Sequence, residues 1–171
     1  MKIYSPFLLV LGLFFFHSTL SSQSLALKLN ASLSSISEVE ASFISPGISI
    51  EGKAGRHYSI GLDLGATSNG TYKMLHFTPS IKYYFGRSLR SFYIGAGIDA
   101  FQLKRKNGGP IGYPFDNENN ESGIAGGPQL MIGSQTVIDD IIVIGFQLGA
   151  GPSPAVESIF FHAVFSAGIV F

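Results

Sequence analysis

The sequence predicts an all-β fold, an eight-stranded antiparallel up-and-down transmembrane β-barrel, on three observations. The 171 residues are 46% apolar and only 13% charged, against roughly 25% charge in an ordinary soluble domain, too little to coat a globular surface with ions. Beyond the N-terminus no apolar run reaches the roughly 20 residues that a membrane-spanning helix needs. A period-two alternation of apolar and small polar residues recurs along the chain, as in strands whose two faces meet different surroundings.

Residues 1–22 read as a secretory signal, with Lys2 as the positive start, FLLVLGLFFF at 7–16 as the apolar core and a small, polar exit. Cleavage is expected after Ser22, with Ser24 as the alternative, leaving 23–171 as one barrel domain. The first strand, 25–34, sets Leu25, Leu27, Leu29, Ala31 and Leu33 against Ala26, Lys28, Asn30, Ser32 and Ser34. The second, 44–51, is less regular and ends on Glu51. The third, 58–67, alternates Tyr58, Ile60, Leu62, Leu64 and Ala66 with Ser59, Gly61, Asp63, Gly65 and Thr67. In the fourth, 75–85, His76, Thr78, Ser80, Lys82 and Tyr84 form the second face. The fifth, 92–101, carries Tyr93, Gly95, Gly97, Asp99 and Phe101 on that face, the sixth spans 123–133 less cleanly, and the seventh is 142–150. The eighth, 161–171, places Phe161, Ala163, Phe165, Ala167, Ile169 and Phe171 on one side. Pro46, Pro79 and Pro128 lie inside these strands without an N–H to donate, so bulges or strand ends are expected there.

Composition decides which face meets lipid. The polar face is mostly Gly, Ser, Thr, Asn and Gln, with Lys28, Glu51, Asp63, Lys82 and Asp99 as its charges. A barrel exterior in water would be rich in Lys and Glu, whereas small residues suit the narrow lumen of eight strands. Five outward residues at alternate positions cover about 30 Å of strand, and a tilt near 40° reduces this to roughly 23–25 Å, the height of an outer-membrane apolar band. The connections 52–56, 86–91 and 134–140 are expected as short periplasmic turns. Those at 35–42, 68–73, 104–121 and 151–157 face outside. Tyr58, Tyr83, Phe85, Phe92 and Phe171 point outward near the periplasmic ends, where an aromatic girdle belongs. Charges isolated in so narrow a lumen are costly, so Lys28 is expected to contact Glu51 and Lys82 to bridge to Asp63 or Asp99.

The last strand, ending HAVFSAGIVF, carries Phe165, Ala167, Ile169 and Phe171 at alternate positions back from a terminal Phe. It resembles the signal by which the outer-membrane assembly machinery recognises bacterial barrels. With the signal segment, the eight strands and IKYYFG at 81–86, the mature chain resembles the small outer-membrane β-barrel domain family, similar in build to OmpA and OmpX barrels. The resemblance implies a bacterial outer-membrane location, export through the periplasm and a monomer in lipid and lipopolysaccharide. That family is defined by architecture and implies no shared reaction.

Little in the residues points to chemistry. Cysteine is absent, which excludes disulfides, thiolate metal sites and a cysteine nucleophile. Eleven basic residues balance eleven acidic ones, which argues against a nucleic-acid partner. His57 stands alone, His76 and His162 are on the polar face, and no arrangement of Ser, His and acid suited to nucleophilic catalysis emerges. Asp116, Glu118 and Glu121 share a polar loop with asparagines but lack the spacing of a calcium loop. No enzyme, metal or cofactor is expected. The function expected is a structural or surface-interaction barrel with a filled lumen, whose loop contacts would be Lys104, Arg105, Lys106, Asp116 and Glu118. Lys104, Arg105 and Lys106 suit lipopolysaccharide phosphates. A narrow pore or small-ligand transport barrel is the alternative, with a lipid A-modifying enzyme behind it.

Overall fold

A computed structural model describes residues 25–36, 41–68, 72–105, 122–153 and 158–171. The expected signal segment and the loop residues Lys106, Asp116 and Glu118 lie outside the described residues. The strands are β1 (Leu25–Ile36), β2 (Ala41–Lys53), β3 (Tyr58–Ser68), β4 (Tyr72–Tyr84), β5 (Phe92–Arg105), β6 (Ser122–Ile138), β7 (Ile142–Ser153) and β8 (Ser158–Val170). Each pairs antiparallel with the next, and β8 closes on β1, giving a barrel of eight strands.

Burial is the inverse of a water-soluble barrel. Lys28, Glu51 and Lys82 are 3%, 1% and 2% exposed, whereas Leu29, Ile44 and Leu130 are 71%, 74% and 73% exposed. Continuous apolar exposure on this scale needs an apolar solvent, so the outer face is a lipid face. The aromatic girdle forms a run of touching rings across three strands, with centroids 5.2 Å apart for Tyr58–Tyr83, 5.6 Å for Tyr83–Phe85 and 5.8 Å for Phe85–Phe92. Phe165, Ala167, Ile169 and Phe171 all lie on this outer face.

The three prolines interrupt ladders on one side each. Pro46 pairs with Ala31 on β1, but β2–β3 pairing stops one residue short of it, at Gly47↔Gly65. Pro79 pairs with Leu62 on β3, and the β4–β5 ladder skips from Phe77↔Ala100 to Ser80↔Gly97. Pro128 pairs with Ile98, while β6–β7 pairing ends at Leu130↔Ala150; extending that register would set Pro128 against Pro152, and neither has an N–H.

One connection departs from expectation, and another keeps its expected place between β4 and β5 but takes an inward course. The turn expected at 134–140 is mostly strand, because Gln135 and Val137 continue the inward alternation and Thr136 and Ile138 the outward one. The chain reverses at Asp139 and Asp140, with φ of 49° and 60°, and Ile141 N donates to Ile138 O at 3.1 Å. This is the mirror-image turn that fits hairpin twist, and aspartate tolerates its left-handed backbone. The turn after β4 folds into the barrel mouth. Arg90 N donates to Arg87 O (3.1 Å), and Leu89 takes a φ of 68°. Its side chain, 2% exposed, packs in the cluster of Ala26, Val143 and Val170 and closes that mouth.

Candidate functional site

The site is the lumen just above this apolar plug. Glu51, inward from β2, accepts hydrogen bonds at one carboxylate oxygen from Lys28 Nζ (2.6 Å) and Lys82 Nζ (3.0 Å). Its other oxygen accepts from Ser59 Oγ and Tyr84 OH, both at 2.5 Å. One anion from β2 thus ties β1, β3 and β4. Lys28 Nζ also donates to Gln135 Oε1 at 3.0 Å, and Gln135 Nε2 donates to Leu89 O at 3.1 Å, joining the network to the plug. The Lys82 ammonium stands 5.0 Å from the centroid of Tyr93, a cation–π contact in a site with little water to compete.

The expected Lys28–Glu51 contact is present. The expected bridge from Lys82 to an aspartate is not: Lys82 binds Glu51 instead. Register gives the reason. Lys82 is opposite Ser59 on β3, whereas Asp63 is opposite Thr78. Asp99 also lies at the level of Thr78, whose hydroxyl donates to it at 2.6 Å. Four residues along β4 amount to about 13 Å, beyond side-chain reach. Asp63 is held by Asn30 Nδ2 at 3.3 Å and by Ser49 Oγ. The five predicted charges therefore form one hub, around Glu51, and two separate aspartate contacts nearer the loop end.

That upper lumen also holds two histidines, neither on the lipid face. His162 Nε2 lies 3.2 Å from Gln147 Nε2, and Tyr93 OH donates to Gln147 Oε1 at 2.9 Å. His76 lies across Gly65, where an added Cβ would stand 1.8 Å from its Nε2, so glycine there makes room for the ring. Among the described residues no group of three His, Cys, Asp or Glu could hold a metal ion.

Ser59, Tyr84 and Tyr93 lie on the face that the alternation marks as inward, but nothing in their pattern shows which charge they would meet. Gln135 falls in the segment expected to be turn, and extending the alternation past residue 133 would reveal it. Leu89 has no sequence signal, being a single apolar residue among turn residues. Lys104 and Arg105 end β5 as strand residues.

Inverted burial and closed pairing define a small transmembrane β-barrel, its lumen occupied at the level of Glu51 by bonded side chains. The chain has the fold of the small bacterial outer-membrane barrels. It is similar to Neisserial surface protein A, with 16% identity and a TM-score of 0.55 over 88% of this chain and 96% of that one. The N-terminal β-barrel domain of Pseudomonas aeruginosa OprF gives 13% identity and a TM-score of 0.53, covering 88% and 100% of the two chains. Ail, the attachment invasion locus protein of Yersinia pestis, solved with the heparin analogue sucrose octasulfate, gives 12% identity and a TM-score of 0.58, with the same coverage. No protein-family model matches the chain, and no curated protein matches it.

Proposed function

We propose that the protein is a plugged barrel of the bacterial outer membrane, exported through the periplasm, that acts by presenting its outer connections at the cell surface. One observation carries this reading. At the level of Glu51 the lumen is occupied by buried, mutually bonded side chains from β1, β2, β3 and β4, with Gln135 of β6 and the Leu89 plug beside them. Such an interior suits a scaffold rather than a conduit. The comparison barrels supply an analogy: one is a surface protein by name and another an attachment protein. Lys104, Arg105 and Lys106 are the proposed contacts for lipopolysaccharide phosphates, with Asp116 and Glu118 in the same surface segment. Phe165, Ala167, Ile169 and Phe171 are the proposed mark for the assembly machinery.

Planar-bilayer recording on refolded protein tests the reading. The expected result is no steady conductance, and steady ion-selective openings would replace it with the narrow-pore alternative. No catalytic role is proposed. Lipid A from cells with and without the gene should give identical mass spectra, and any gene-dependent loss or gain of an acyl chain would overturn that.

A further inference from the structure

The end of the barrel where Leu25 and Phe171 bond to each other carries cations that the lumen network does not use. Lys53 ends β2, Arg56 follows it, and Arg87 and Arg90 are the two ends of the turn folded into the mouth. Asp139 and Asp140 share this rim, and Asp140 pairs with Arg90. Among the described residues Lys53, Arg56 and Arg87 make no ion pair. Lys53, Arg87 and Arg90 line a pocket of about 180 Å³ with Ser88, over Leu89 and Val170.

The turn is fixed there against its backbone preference. A bulky residue in the left-handed region persists only where its surroundings over-determine it, and such positions gather at binding sites and switches. Here the holding contacts are the Gln135 bond to Leu89 O, Ser88 N to Arg56 O at 2.8 Å and Ser88 Oγ to Gly55 O at 3.0 Å. They set Arg87 and Arg90 beside Lys53, three cations around one concavity, of which Arg90 also pairs with Asp140. Leu89, Val137 and Val170 are the apolar part of a lining that is otherwise cationic and polar, and guanidinium forks with an ammonium match the oxygens of a phosphate.

We infer that the pocket of Lys53, Arg87 and Arg90 is a site for a phosphate of net negative charge, filled by the headgroup of an anionic phospholipid of the adjoining leaflet or by soluble phosphate, and not by a zwitterionic headgroup whose own ammonium balances its phosphate. The Tyr58, Tyr83, Phe85 and Phe92 rings leave the same strand ends, and aromatic belts sit at headgroup level, so lipid phosphate is within reach of this rim. The lipid source rests on the membrane reading above; the soluble source does not.

The test uses the refolded chain in zwitterionic detergent and in nanodiscs of phosphatidylcholine with and without phosphatidylglycerol. Inorganic phosphate is titrated against chloride at equal ionic strength, the thermal midpoint is read, and retained lipid is weighed by native mass spectrometry. Phosphate or phosphatidylglycerol should raise the midpoint where chloride and phosphatidylcholine do not. The Lys53→Gln/Arg87→Gln variant should bind about tenfold more weakly or worse, Arg87→Lys should keep most of the response, and Lys73→Gln at the opposite end should keep all of it. A response to phosphatidylglycerol alone assigns the headgroup, and a response to both probes assigns the oxyanion itself. Equal binding by the double variant, or no response to either probe from protein that has inserted into nanodiscs, overturns the site and leaves the membrane reading intact. Failure to insert defeats the membrane reading, and the detergent titration then decides the site alone.

Discussion

Glu51 concentrates the electrostatics of the lumen in one carboxylate, and single substitutions around it should differ in a defined order. Glu51→Gln leaves two buried ammonium groups without their counter-ion and should cost about 3–5 kcal/mol, as for other broken buried pairs. Lys82→Met removes one of four donors and keeps the rest, so about 1–3 kcal/mol is expected. Urea unfolding in detergent micelles, followed by tyrosine fluorescence, would rank them; a Lys82→Met loss as large as that of Glu51→Gln would place the hub elsewhere. A double-mutant cycle separates the partners: Lys82 should couple to Glu51 and be additive with Asp99 within about 0.5 kcal/mol. Close packing governs the closing seam in the same way. A Cβ at Gly168 would stand 1.9 Å from Leu27 O and 2.6 Å from Lys28 Cα, both backbone, so relief would require parting β8 from β1. Gly168→Ala should therefore cost about 1–3 kcal/mol and lower the temperature at which the folded band is lost on a heated gel. An unchanged band would mean that the seam yields freely.

At the scale of elements, the eight strands were legible in the sequence because lipid outside and a narrow lumen inside force alternation on every residue between. The same alternation made Lys28, Glu51, Asp63, Lys82 and Asp99 legible as inward. Their partners were not, because parity fixes a face and leaves register free, and Lys82 met Glu51 by a register that no periodicity encodes. The end of β6 was hidden for a related reason: Ser134, Gln135 and Thr136 look like turn residues, yet a lumen accepts polar side chains as readily as a loop does. The inward turn at 86–91 was least legible, since its anchor is one leucine whose backbone contradicts its residue type. That contradiction yields a prediction. Alanine usually replaces a buried residue with less harm than glycine, but at a φ of 68° alanine keeps the steric cost and glycine does not. Leu89→Gly should thus be less destabilising than Leu89→Ala, with the alanine variant losing about 2–5 kcal/mol from the vacated cluster. The usual order, measured in the same urea assay, would show that this turn relaxes once its side chain is gone.

For the molecule as a whole, charge and hydrophobicity are distributed by depth. Cations stand at both ends of the barrel, with Lys53, Arg56, Arg87 and Arg90 at one and Lys73, Lys104 and Arg105 at the other, ion pairs and hydrogen bonds occupy the lumen at the level of Glu51, and the wall between the rims is apolar on the outside. A soluble barrel of the same strand order would bury Leu29 and expose Lys28; this one does the reverse. A charge scan along β1 converts that inversion into free energy. Leu29 pairs with Ile48 on β2 and Ala167 on β8, well inside the strand, whereas Leu25 is its first residue and bonds to Phe171 at the rim. Lysine on the lipid face of a barrel costs about 2–4 kcal/mol at the bilayer midplane and about 0–1 near the interface. Leu29→Lys should accordingly destabilise the barrel several-fold more than Leu25→Lys when unfolding is measured from lipid vesicles. In a water-soluble barrel both exposed leucines would accept lysine with little change, because the ammonium would stay hydrated. Equal, near-zero costs at the two positions would therefore remove the lipid face, and with it the placement of the plug and the cationic pocket at a membrane surface.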